Sequence, residues 1–293
     1  METDQERADR AARVLELISE GEISRAMALL HSMGVGGLTR GVLQQMARKH
    51  PERQRIVPAQ MPIGAAQHAC SVQLTDTFRG LRRRRGTGVS GLCNEYLRAL
   101  VGTFDDAEAD RVMPAYDAFA TAAVNVAFPT WFYSAWAIAG LHPLVKAQLS
   151  PDQRAAGADP DCRPVAVGEC TLRSIARQLT DEASPVAAEE LRPQQVAVGV
   201  SGGLSIMIHG VRLLLEQHGD FVVVRLDMRN GYNAASRSVL LRRLSESPRL
   251  AHLAPFIHAL SAGGTDLLLG SMRQRLFPEQ QRADSSEGTQ QGL

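Results

Sequence analysis

From Asp4 to His50 the apolar side chains recur at helical spacing. Ile23, Ala26, Met27 and Leu30 fall at i, i+3, i+4 and i+7, which predicts an amphipathic helix with that stripe turned inward. The glycines of "GVGG" (34–37) end this unit, and Thr39 is placed to cap a following helix. Residues 51–67, rich in Pro and Gln, read as a linker. A helix is expected around Asn94–Val101, then an acidic patch, "FDDAEAD". Residues 118–145 carry no formal charge and are long enough to suggest a membrane span. Their alanine content, Asn125, Pro129 and the His142-Pro143 step instead predict one or two buried helices broken near Pro129.

Further on, "SPDQRAAGADPDC" reads as a polar loop, "RPVAVGE" as a strand and "CTLRSIARQL" as a helix. "VAVGVSGG" is a short apolar run with a tight glycine turn, leading into a helix on which His209 is expected to pack. Next comes the strongest β signal in the chain, "FVVVRLD", a β-branched run expected to be a buried strand that ends at Asp227 and feeds a helix through Leu244. A carboxylate at such a junction needs an arginine, a backbone N–H or a metal ion as partner, because burying it alone is costly. The whole pattern is α+β.

Composition narrows the chemistry. Hydrophobic residues at 44% and charged residues at 22% support a packed core, while a net charge of +1 gives no overall pull toward nucleic acid or lipid. Of the 32 basic residues only Lys49 and Lys146 are lysine. Arginine grips phosphate in a bidentate way that lysine does not, although a GC-rich genome produces the same bias. The cysteines, Cys70, Cys93, Cys162 and Cys170, form no C-x-x-C pair, so a zinc site or disulfide framework is not expected. The charged N-terminus holds no apolar signal core, and an intracellular location, the nucleus included, is expected. "GVSGG" lacks the Lys-Ser/Thr of a P-loop and the spacing of a dinucleotide fold, and there is no G-x-S-x-G elbow. Arg79 and the run Arg82, Arg83, Arg84 and Arg85 read either as a phosphate or RNA patch or as a solvated charged face. Arg163, held before Pro164, has the reach to contact a triphosphate. Residues 285–292 are small, polar and glycine-rich, which suits close backbone approach to a ligand and equally a frayed end.

In order, "LHPLVK", "RPVAVGE", "QVAVGVSGG…IHGVR", "VVVRLDMRNGYNAASR" and "SSEGTQQG" resemble successive blocks of reverse transcriptases, most closely those of non-LTR retrotransposons. "GTGVSGLCNEYLRAL" is similar to the segment just before the fingers, and the helical stretch through "RKHPE" resembles sequence preceding the polymerase. The resemblance implies a right-hand polymerase fold. Residues 1–60 would be a helical extension and linker, and 61–293 the fingers and partial palm. It implies an RNA-directed DNA polymerase acting on an RNA template, a DNA primer and deoxynucleoside triphosphates, with Mg2+ as cofactor and no membrane partner. Asp227 matches the first metal-binding aspartate of the palm, and Met228 would add its carbonyl. Tyr232 matches the bulky residue under the sugar, Gln291 and Gly292 the template-grip residues, and Arg163 the fingers arginine on the incoming phosphates.

The departures bear on activity. The sequence ends at Leu293, inside the template-grip motif, so a fragment without the palm hairpin and its paired aspartates is expected, inactive alone. "TFDD" (103–106) mimics that hairpin but precedes the Asp227 block, and reads as a helix-start acidic cluster. The aspartate-rich "GADPDC" before Arg163 is also unlike the family. The alternative is a non-catalytic nucleic-acid-binding remnant or pseudogene product.

Overall fold

The computed structural model describes residues 4–50, 70–102, 106–228, 231–261, 265–269 and 282–285, with the side chains of 106–110 and 282–285 outside the description. The linker at 51–67 and the Asp105 part of the acidic patch therefore lie outside the described residues. The chain divides into two compact units, residues 1–46 with 142–164, and residues 47–141 with 165–293. The described residues are α+β, with one sheet in the order β2 (Cys162–Val167), β1 (Ala139–Val145), β3 (Thr265–Leu269) and β4 (Arg282–Ser285).

In the first unit, α1 (Asp4–Ser19) and α2 (Ile23–Leu30) turn on Gly21, whose φ of +75° is a conformation glycine adopts without penalty. They close on Val14, Leu17 and Ala26, with Leu29 packed alongside. The expected stripe is corrected here. Ala26 is buried, but Ile23, Met27 and Leu30 are about half exposed, because the close α1–α2 approach selects the small side chain. Thr39 does cap α3 (Arg40–Arg48), its Oγ1 accepting from Val42 N–H at 3.2 Å. Gly41 then packs so closely on Asp159 that a Cβ would lie 1.7 Å from its Oδ2. "GVGG" does more than end a helix. Gly36 N–H donates to Pro143 O at 2.7 Å, and Val145 N–H to Gly34 O at 3.1 Å. The polar loop holds a short helix, α8 (Pro151–Ala155), started by a capping box between Ser150 and Gln153.

The second unit is built on helices around Phe78, Leu97, Tyr133, Leu172, Ile175 and Phe256. Its uncharged segment forms the end of α6 (Asp106–Val124), then α7 (Thr130–Trp136) beginning after Pro129, as expected. The last part is a correction. Residues 139–145 are a strand, β1 (Ala139–Val145), because their alternate side chains find a sheet neighbour. β1 pairs in parallel with β3 (Thr265–Leu269), and β3 pairs antiparallel with β4 (Arg282–Ser285). No helix among the described residues is long and apolar enough to cross a membrane.

One device positions the start of this unit. Leu74 N–H donates to Asp117 Oδ1 at 2.8 Å, Val72 N–H to Thr121 Oγ1 at 3.0 Å, and Cys70 N–H to Asn125 Oδ1 at 3.0 Å. Two residues of extended chain advance about 6.6 Å and four residues of helix about 6 Å, so every second N–H meets every fourth side chain of α6 and of the turn that follows it at Asn125. Asn125 Nδ2 returns a bond to Cys70 O at 2.7 Å. The side chains of one helix face thus stand in for a neighbouring strand.

Candidate functional site

The arginine-rich stretch is a loop between α4 (Thr75–Arg79) and α5 (Asn94–Gly102), and Arg79 and Arg82–Arg85 are all exposed. Arg79 pairs with Asp76 at 3.2 Å on an open surface, a contact that adds little to stability. The backbone of the loop is anchored from below. Arg98 donates to the carbonyls of Arg79 and Leu81, and Asn94 Nδ2 to Arg82 O at 2.7 Å. Arg177 Nη1 donates to Gly80 O at 3.1 Å, and Arg173 Nη2 to Gly86 O at 2.7 Å. Ser90 donates to Glu169 twice, from its N–H at 2.8 Å and its hydroxyl at 2.5 Å. Arg84 holds a left-handed φ of +55°, and its N–H donates to the Glu95 carboxylate. Partial burial pushes the Glu95 carboxyl up, but the Arg84 N–H, its own N–H, the Cys93 side chain and the Arg83 charge together hold it below its ordinary value.

These supports come from the first turns of α5 and from α9 (Cys170–Glu190). They were not singled out in the sequence, although Glu169, Arg173 and Arg177 recur every fourth residue and so share a helix face. Behind them, the Cys170 thiol donates to Asn94 Oδ1 at 2.9 Å, and burial, the largest influence, pushes its pKa up to about 11.

The Asp227 region departs from expectation. Residues 221–228 form no strand, and Val222 and Leu226 are 84% and 86% exposed. β-branched residues favour extended backbone, but a strand exists only where a neighbour completes its ladder. The described sheet takes in β1, β2, β3 and β4 and not this run. Asp227 is accordingly exposed, as is Met228. Helices do follow, α11 (Gly231–Ala234) and α12 (Arg237–Glu246). The glycine turn also stands as read. Gly199 and Gly202 have φ of +69° and +68°, and a Cβ on Gly203 would lie 1.6 Å from Val196 O. In α10 (Gly203–Gln217), which follows, Gly203 is the one buried residue, so His209 is exposed and not packed.

Tyr232, 65% exposed, stands at the lip of an apolar cavity of about 1150 Å3 between α9, α12 and α13 (Ala254–Ser261), lined by Leu172, Leu179, Leu241, Leu244 and Phe256. Arg163 is an exposed residue of β2 (Cys162–Val167) and belongs to the first unit, whereas Asp227, Met228 and Tyr232 belong to the second. Gln291 and Gly292 lie outside the described residues. Among the described residues no three His, Cys, Asp or Glu side chains gather as a metal-binding set.

No known protein family matches this chain, and no curated protein matches it.

Proposed function

We propose that the chain is the fingers and first part of the palm of a reverse transcriptase of the non-LTR retrotransposon kind, with a right-hand polymerase fold. The observation that carries this reading is the order of five sequence blocks, from "LHPLVK" to "SSEGTQQG", with the aspartate block fourth. The exposed Asp227 at the end of its apolar run, the α+β class and the anchored arginine loop support it.

In this reading the arginine loop takes the phosphates of the RNA template, and its exposed guanidinium groups neutralise the backbone without reading bases. In this reading Asp227 and the Met228 carbonyl would hold the metal and Tyr232 would lie under the sugar, the roles the family gives the matching residues, as it gives Arg163 to the triphosphate and Gln291-Gly292 to the template pair. Mg2+, when bound, supplies Lewis acidity at the transferred phosphoryl group. In this reading Asp227 is one carboxylate of the family's metal-holding pair, and template binding without primer extension is the expected behaviour. The exposed, anchored arginine loop equally favours a second reading, a nucleic-acid-binding remnant whose work is binding alone.

Fluorescence anisotropy with labelled single-stranded RNA over a salt series, run beside primer extension with Mg2+, an RNA template, a DNA primer and deoxynucleotides, tests both readings. Salt-dependent RNA binding without extension is expected. Extension that Asp227→Ala abolishes would show that a second carboxylate reaches the site. Absence of RNA binding would remove the function altogether.

A further inference from the structure

The arginine loop and α9 meet in a register that the charge pattern alone does not explain. Glu169, Arg173 and Arg177 stand four residues apart on one helix face, and each holds a different point of the loop backbone: Ser90, Gly86 and Gly80 in turn. The loop runs down this stripe in the opposite direction to the helix. Two arginines beneath a loop of four further arginines would repel it if charge were the organising force. They are accommodated because they bond to loop carbonyls, and the carboxylate above them bonds to Ser90.

Close packing adds to the hold. A Cβ on Gly88 would sit 2.6 Å from the Glu169 Cα, so the loop lies against the N-terminal end of α9 with no room for a side chain there. Arg84 is kept in a left-handed conformation that is unfavourable for a non-glycine residue. Glu95 holds that conformation through the Arg84 N–H. The loop is therefore fixed at both its carbonyls and its N–H groups, and its four consecutive guanidinium groups leave a backbone with little freedom left to lose. An arginine that enters a complex from a fixed backbone gives up less entropy than one on a flexible loop.

We propose that Glu169 and the arginines below it, Arg173 and Arg177, are positioning residues that preorganise the 82–85 arginine run for the phosphodiester backbone of single-stranded RNA. The inference rests on the RNA-binding reading above and assigns a role to residues that touch no nucleic acid themselves. It gives Glu169 an unusual signature. Taking a carboxylate away from beside a phosphate site strengthens binding if charge alone matters, since a repulsion is removed. It weakens binding if the carboxylate holds the loop.

The test is anisotropy of the full chain with labelled single-stranded RNA of mixed sequence, across a salt series. Glu169→Ala is expected to bind RNA about three- to tenfold more weakly than wild type despite its more positive charge. Its log–log salt slope should be nearly unchanged, because the phosphate-contacting arginines remain. Arg83→Ala, which removes a contact, should lower the slope by about 0.7. Ser90→Ala changes an exposed side chain and keeps α9 intact, so it answers the question if Glu169→Ala fails to fold; it too should bind more weakly. Binding by either variant that equals or exceeds wild type overturns the positioning role and leaves RNA binding standing. A wild-type chain with no salt-dependent RNA binding overturns both.

Discussion

Asp117→Ala removes one rung of the hydrogen-bond row that ties residues 70–74 to α6. The Leu74 N–H loses a carboxylate acceptor at 2.8 Å, and Leu74 itself is 2% exposed, so water replaces that acceptor poorly. A bond to a charged acceptor contributes about 1.5–3 kcal/mol. A loss of about 2 kcal/mol is expected, or about 4–8 °C in melting temperature for a unit of this size. Asp117→Asn keeps an oxygen acceptor without the charge and should lose roughly half as much. Thr121→Val removes a neutral bond of 3.0 Å and should cost about 1 kcal/mol. The double variant Asp117→Ala/Thr121→Val should cost less than the sum, because both bonds hold the same segment. Urea unfolding followed by tryptophan fluorescence suits the question, since Trp131 and Trp136 both lie in the second unit and Trp136 is in its core. Midpoints for Asp117→Ala and Asn125→Ala within about 0.5 kcal/mol of wild type would refute the idea that these side chains replace a strand neighbour.

Phe78→Ala should destabilise the second unit by about 3–5 kcal/mol in the same assay, since Phe78 is fully buried and meets Tyr116 edge-on at 5.6 Å. Tyr133→Phe should cost about 1 kcal/mol, because its hydroxyl donates to Ala123 O at 2.9 Å inside the core. The Cys170 thiol, raised to about 11, should resist iodoacetamide at pH 8 while the chain is folded and react once urea unfolds it, as mass spectrometry would show. Burial lowers the His258 pKa below its ordinary 6.5, and its Nε2 has no partner among the described residues. The unfolded chain therefore takes up the proton first, and stability falls as pH drops from 6.5 toward the lowered value. His258→Leu should remove that part of the acid sensitivity in melts across the same range.

The helices were legible from local pattern. α5, α9 and α10, the break before Pro129 and the Thr39 cap follow from side-chain period, proline and capping chemistry, all of which act within a few residues. The α+β class and the exposed arginine run were legible for the same reason. Burial was not. Ile23 and Met27 form a good apolar stripe, yet the α1–α2 contact buries Ala26, and a period does not say how closely the neighbouring helix approaches. Strand pairing was decided further along the chain. "HPLV" became part of β1 because β3, more than a hundred residues later, pairs with Ala139–Leu141, whereas the stronger β run at 221–226 has no place in the described sheet. The supports of the arginine loop show the same limit. Glu169, Arg173 and Arg177 are visible as a helix stripe, but the loop they hold lies some eighty to a hundred residues earlier. Which segments coil into helices and where the charges fall can be read along the chain, because those preferences are written in neighbouring side chains. Which backbone groups those charges meet depends on the folded arrangement, because a hydrogen bond between distant residues exists only once packing has brought its donor and acceptor within about 3 Å.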